Sequence, residues 1–171
     1  MLYLLDANVL IDAHRKYYPR ARVPEFWDWL VHHGAHDNVK IAVEIYEEIT
    51  EKAKKKEDKD DLALWADEKA VEESLQFVED VNIELVQDVV NNGYAPDLKD
   101  DEVDKIGRDP FLVAYALADP GDRCVVTTEV SAPSKVRSNR RVPDVCKTMG
   151  VKVCDTFEFV QQLDFSTNWN K

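Results

Sequence analysis

The sequence predicts an α/β protein built on a central, mainly parallel sheet. Three observations point there. Short runs such as Leu2–Leu5 and Val39–Val43 are apolar almost throughout, which suits strands buried on both faces. Helix-like stretches separate these runs, and right-handed crossovers then make parallel pairing the expected arrangement. Acids follow the runs, at the edge where open α/β sheets bind their ligands.

The first strand, Leu2–Leu5, ends at Asp6-Ala7-Asn8, after which Val9, Leu10 and Ile11 begin a helix. Asp6 fits two roles there, helix N-cap and metal ligand. Residues 13–23, AHRKYYPRARV, carry Arg15, Lys16, Arg20 and Arg22 around Tyr17 and Tyr18. Such a stretch is either a solvated loop or a surface that holds a single strand by phosphate contact and stacking. Pro24 opens a helix with Phe26, Trp27, Leu30 and Val31 at helical spacing, and Gly34 is its expected stop. His32, His33 and His36 read as helix-terminal or loop residues, because no acid or cysteine pattern accompanies them. Val39–Val43 is the second strand. It passes into a helix with Ile45, Tyr46 and Ile49 on one side, while Glu44 and Glu48, four apart, share a face.

Lys52–Asp61 is a mixed charge run, read as a solvated helix end or loop. Asp61–Val81 is expected as one long amphipathic helix through Leu62, Leu64, Trp65, Val71, Leu75 and Val78, and Glu84–Val90 as a short helix or strand. Residues 50–107 therefore read as a mostly helical insertion within one domain spanning 1–171, since no Gly/Pro/Ser-rich linker sets them apart. Asn91–Gly107 reads as a polar, acidic loop. Asp109 is the expected N-cap of a helix opened by Pro110, and FLVAYALA is apolar almost all round, hence buried. Arg123–Thr128 is a third buried strand with Glu129 directly after it. Ser131–Arg141 is a basic loop holding Lys135, Arg137, Arg140 and Arg141. Pro143–Met149, closed by Gly150, is a short helix, and Val151–Cys154 is the last strand. Asp155 and Glu158 form a capping pair for the final helix.

The chain of 171 residues carries 34 acids against 22 bases, a formal charge of −12. That balance counts against simple nonspecific attraction to polyanions, but not against a nuclease whose acids hold cations. No stretch approaches the roughly 20 apolar residues of a membrane span. The N-terminus lacks the order of a signal peptide, so a cytoplasmic protein is expected. Cys124, Cys146 and Cys154 lie in apolar sequence without CxxC spacing, which fits buried reduced thiols.

Asp6, Glu48, Asp109 and Glu129 share a setting, with an apolar strand or buried helix on one side and a turn on the other. In a parallel sheet their strand ends converge. Four carboxylates packed together raise one another's pKa values unless a cation sits among them. Oxygen ligands without His or Cys select Mg²⁺ or Mn²⁺, which polarises a phosphodiester and lowers the pKa of a bound water.

In order along the chain, LLDANVLID, Glu48-Ile49 after VKIAV, DPFLVAYALA and VVTTE resemble the four motifs of the PIN domain. That domain is the ribonuclease domain of many prokaryotic toxin–antitoxin toxins. The closing KVRSNRRVPDVCKTMGV is similar to the C-terminal signature of a PIN-like subfamily of uncharacterised bacterial proteins. The resemblance spans nearly the whole chain and implies a three-layer α/β/α fold. It implies an endoribonuclease that leaves a 5′-phosphate and a 3′-hydroxyl. Asp6, Glu48 and Asp109 would hold the main Mg²⁺ or Mn²⁺, Glu129 a second ion or its water shell, and Asn8 would orient water or substrate. Candidates for contact with the RNA backbone are Arg15, Lys16, Lys135, Arg137, Arg140 and Arg141. A cognate antitoxin and a homodimer are the further partners implied, the helix of Trp27 and Trp29 offering a dimer face that core burial explains equally well. The sequence departs from the motifs in placing Glu129 where Asp is commoner, and Glu44 and Asp104 lie close enough to share the site.

Two other readings compete. A phosphatase of the haloacid dehalogenase type also places an acid after its first strand, but wants a second Asp where this chain has Asn8. A catalytically inactive module that binds a basic partner would also suit the acidity.

Overall fold

The computed structural model describes residues 1–51 and 61–171. Five strands, Leu2–Leu5 (β1), Val39–Ala42 (β2), Gln76–Phe77 (β3), Arg123–Val126 (β4) and Lys152–Cys154 (β5), pair in parallel in the order β3-β2-β1-β4-β5. Helices flank the sheet on both sides, a three-layer α/β/α arrangement. β1 and β4 lie side by side at the centre with Leu4 opposite Val125 and Leu5 opposite Val126, and all four side chains are fully buried. Double burial is why these strands are unbroken apolar runs. The chain builds outward from β1 through β2 to β3, then returns to add β4 and β5 on the other side. The strand order therefore reverses between β1 and β4, and it is at the carboxyl edge of such a switch point that open α/β sheets bind ligands.

The helices are Ala7–Asp12 (α1), Pro24–Ala35 (α2), Val43–Glu51 (α3), Asp61–Ala66 (α4), Lys69–Leu75 (α5), Ile83–Asp88 (α6), Asp100–Ile106 (α7), Asp109–Leu117 (α8), Val142–Met149 (α9) and Thr156–Gln162 (α10). Wide π-type turns extend α1 over Ala13–Tyr17 and α6 over Val89–Tyr94. On one face, Tyr18 stacks on Phe26 at 4.3 Å and Trp29 meets Phe159 and Phe165 edge-on or tilted. Trp27 and Trp29 are 2% and 1% exposed, so core burial accounts for the aromatic residues of this helix.

Several boundaries differ from expectation for physical reasons. The single helix expected over 61–81 is two helices and a strand. The chain breaks at Asp67-Glu68, Val71 and Leu75 bury on α5, Val78 stands 90% exposed, and Gln76–Phe77 pairs with β2. The stretch 50–107 thus also supplies the edge of the sheet. Asn91–Gly107 is not a loop. It holds the π-type turn and α7, where the Glu102 carboxylate accepts the Lys99 N–H at 3.1 Å and Arg137 offsets the acids. Gly34 does not stop α2, which runs on to Ala35. Its role is close approach, because a Cβ there would lie 2.7 Å from both Leu75 Cδ2 and the Ser74 carbonyl oxygen. Gly150 does end α9, in the left-handed conformation that glycine adopts readily. Of the charge run expected over Lys52–Asp61, residues 52–60 lie outside the described residues and Asp61 opens α4.

Asp155 and Glu158 form the reciprocal cap at the start of α10. All three cysteines are buried free thiols, with Cys124 Sγ and Cys154 Sγ 3.7 Å apart across β4 and β5. Among the described residues, no helix is long and apolar enough to cross a membrane.

Candidate metal centre

Each of the four predicted acids comes from a different part of the chain. Asp6 follows β1 and is 4% exposed, its backbone N–H donating to the Val126 carbonyl of β4 at 2.9 Å. Its carboxylate also caps α1, one oxygen accepting the Asn8 N–H at 3.3 Å. The other accepts the Thr127 hydroxyl at 2.7 Å. Capping and ligation are therefore compatible, since each oxygen retains lone pairs beyond these bonds. Glu48 comes from α3, after β2, and is half-buried. Asp109 is the first residue of α8 and not its N-cap. Arg108 holds that position, and Asp109 instead accepts the Tyr94 hydroxyl at 3.5 Å. Glu129 lies beyond β4, its backbone N–H donating to Thr127 Oγ1 at 3.2 Å.

Electrostatics tie the four together. Burial raises the pKa of Asp6, and Glu129 and Glu48 raise it further, against the hydrogen bonds from Thr127 and Asn8. Burial also pushes Asp109 up to about 8, with Asp6, Glu129 and Glu48 adding to the rise. Acids more than a hundred positions apart in the sequence thus feel one another at one edge of the sheet. They do not yet form a cage: among the described residues, no three His, Cys, Asp or Glu side chains are gathered tightly enough to hold an ion. By donor chemistry the set fits a hard divalent cation, since it offers carboxylates alone and its repulsion is what a cation relieves.

The other candidates divide. Asn8 is exposed beside Asp6. Asp104 is exposed on α7. Glu44 lies beside the Tyr115 hydroxyl, which burial and then Glu44 push up to about 12. Arg137 is spent within the fold, donating to Glu102 at 2.8 and 2.7 Å and to the Asp97 carboxylate at 2.7 Å. Arg140 donates to the Gly93 carbonyl, to the Asp144 carbonyl at 2.9 Å and to Thr148 Oγ1 at 2.6 Å. Both guanidinium groups are thus engaged within the fold. Lys16 pairs with Asp12 at 2.9 Å but is 58% exposed, and Arg15 and Lys135 are exposed. Arg141, half-exposed, pairs with Glu129 at 2.9 Å.

Two residues that shape the site were not expected from the sequence, Thr127 and Tyr94. Thr127 is signalled only by lying between a buried strand and an acid, and Tyr94 by nothing local.

No curated protein and no solved structure matches the chain. A family model described as a domain of unknown function (DUF4411) matches residues 3–167, nearly its whole length. The chain therefore belongs to the DUF4411 family.

Proposed function

We propose that this protein is a Mg²⁺- or Mn²⁺-dependent endoribonuclease, the toxin of a toxin–antitoxin pair. The observation that carries the reading is the placement of acids from separate elements at the reversal point of the sheet, where burial and neighbouring carboxylates raise the pKa of Asp6 and of Asp109. Asp6, Glu48 and Asp109 would hold the ion. When bound, a divalent ion there supplies polarisation of a phosphodiester and a more acidic water. Thr127 fixes one oxygen of Asp6 and the Asn8 N–H the other, so the carboxylate is oriented before any ligand arrives. Tyr94 does the same for Asp109. Asn8, exposed at the rim, is placed to orient substrate, and Arg15, Lys16, Lys135 and Arg141 are the exposed or half-exposed cations for phosphates. The formal charge of −12 favours a basic protein, such as an antitoxin, as partner.

The test is cleavage of single-stranded RNA with Mg²⁺ or Mn²⁺ by the wild type and by Asp6→Asn, checked for equal folding by circular dichroism. The proposal expects metal-dependent cleavage lost in the variant. Equal cleavage by both proteins, or release of phosphate from small monoesters without RNA cleavage, would overturn it.

A further inference from the structure

Both oxygens of Glu129 are tied to the end of the basic loop, one of them by an ion pair. Oε1 accepts from Arg141 Nη1 at 2.9 Å, and Oε2 accepts the Val142 N–H at 2.8 Å. Val142 opens α9, whose N-cap position, Arg141, has no capping side chain of its own. Glu129 supplies that cap from across the loop, satisfying a helix-end donor and a cation together.

The other end of the same loop is held in mirror fashion. Asp144 of α9 accepts the Ser131 hydroxyl at 2.6 Å and the Ala132 N–H at 2.7 Å. The residue before the loop therefore clamps its end, and a residue after the loop clamps its start. Between the clamps lies the basic segment with the exposed Lys135. An ion on Glu129 would compete with Arg141 and the start of α9 for its charge, and a carboxylate drawn toward the ion would loosen the closing clamp of the loop.

We infer that Glu129 is a positioning residue, holding Arg141 and the basic loop at the rim of the metal centre, and is not itself a ligand of the ion. This rests on the metal centre proposed above. Asp6, Glu48 and Asp109 then form the ligand set, and the negative charge of Glu129 is balanced by Arg141 and the start of α9.

The test uses the full-length chain in four forms, wild type, Asp6→Asn, Glu129→Gln and Arg141→Ala, with the double variant Glu129→Gln/Arg141→Ala. Mn²⁺ affinity by calorimetry is expected to fall at least about tenfold in Asp6→Asn and to stay near wild type in Glu129→Gln. Amide hydrogen exchange over residues 130–142 is expected to quicken about tenfold in Glu129→Gln. Binding of a single-stranded oligoribonucleotide without divalent ions, by fluorescence anisotropy, is expected to weaken in Glu129→Gln and in Arg141→Ala. The double variant should then bind no worse than Arg141→Ala alone, because Glu129 acts through that side chain.

Loss of Mn²⁺ binding in Glu129→Gln, with loop exchange unchanged, would overturn the inference, as would additive losses in the double variant. Wild-type Mn²⁺ binding by Asp6→Asn would instead overturn the metal centre. The exchange and oligonucleotide measurements would still judge the clamp.

Discussion

Burial of the site acids and the repulsion among them predict how stability depends on pH without divalent ions. Asp109 moves from an ordinary 3.8 to about 8, chiefly by burial and then by Asp6, Glu129 and Glu48. The unfolded chain releases this proton first as pH rises, so between pH 4 and pH 8 the native state binds more protons. Stability is therefore greatest at the acid end of that window and falls through it. Asp6, whose pKa is also raised, acts with the same sign. Between pH 5.5 and 7.5, above the sequence pI of 4.7, the Asp109 shift corresponds to a loss of about 2.5 kcal/mol at roughly 1.36 kcal/mol per unit. For a domain of this size that is about 5–10 °C in Tm. Asp109→Asn keeps the shape of the protonated side chain and cannot ionise. In EDTA its Tm should match wild type near pH 5.5 and exceed it at pH 7.5 by about that amount. Mg²⁺ should raise the wild-type Tm at pH 7.5 and leave the variant nearly unmoved. The assay is thermal unfolding by circular dichroism across the pH series. A variant that loses stability with pH as steeply as wild type, or melts lower at pH 7.5, would refute the reasoning.

Other consequences are local. Thr127→Val removes the hydroxyl that donates to Asp6, and should weaken Mn²⁺ binding while Thr127→Ser retains it; titration of the three proteins decides. Gly34→Ala drives a Cβ to 2.7 Å from Ser74 backbone and Leu75, and should cost about 1–3 kcal/mol in urea unfolding; an unchanged midpoint would contradict the packing of α2 on α5. Arg137→Ala should release α7 from the basic loop, read as faster amide exchange over residues 97–106 with RNA affinity little changed. A large loss of RNA affinity with α7 exchange unaltered would return Arg137 to the substrate.

The sheet was legible where burial imposes a run of one residue type. Leu2–Leu5, Val39–Ala42 and Arg123–Val126 carry their strand character in composition. Gln76–Phe77 could not be read that way, because two half-buried residues show no period and their pairing depends on β2. Helix 61–81 was misjudged because its apolar positions continue through a break that only Val78, exposed, betrays. The acids of α7 suggested a loop because their compensation by Arg137 comes from 35 residues away. The four site acids were legible from their place after strands or before a buried helix. Thr127 was not, and neither was the division of the arginines. Whether a guanidinium faces solvent, as Arg141 half does, or is spent on Gly93 and Asp144, as Arg140 is, depends on tertiary neighbours.

If Asp6, directly after β1, Glu48 of α3 and Asp109 of α8 share a divalent ion, a crystal soaked in Mn²⁺ and measured for anomalous scattering will show a peak coordinated by these three carboxylates, with Glu129 still on Arg141 and the Val142 N–H. Absence of a peak between these acids at millimolar Mn²⁺ would rule the shared ion out.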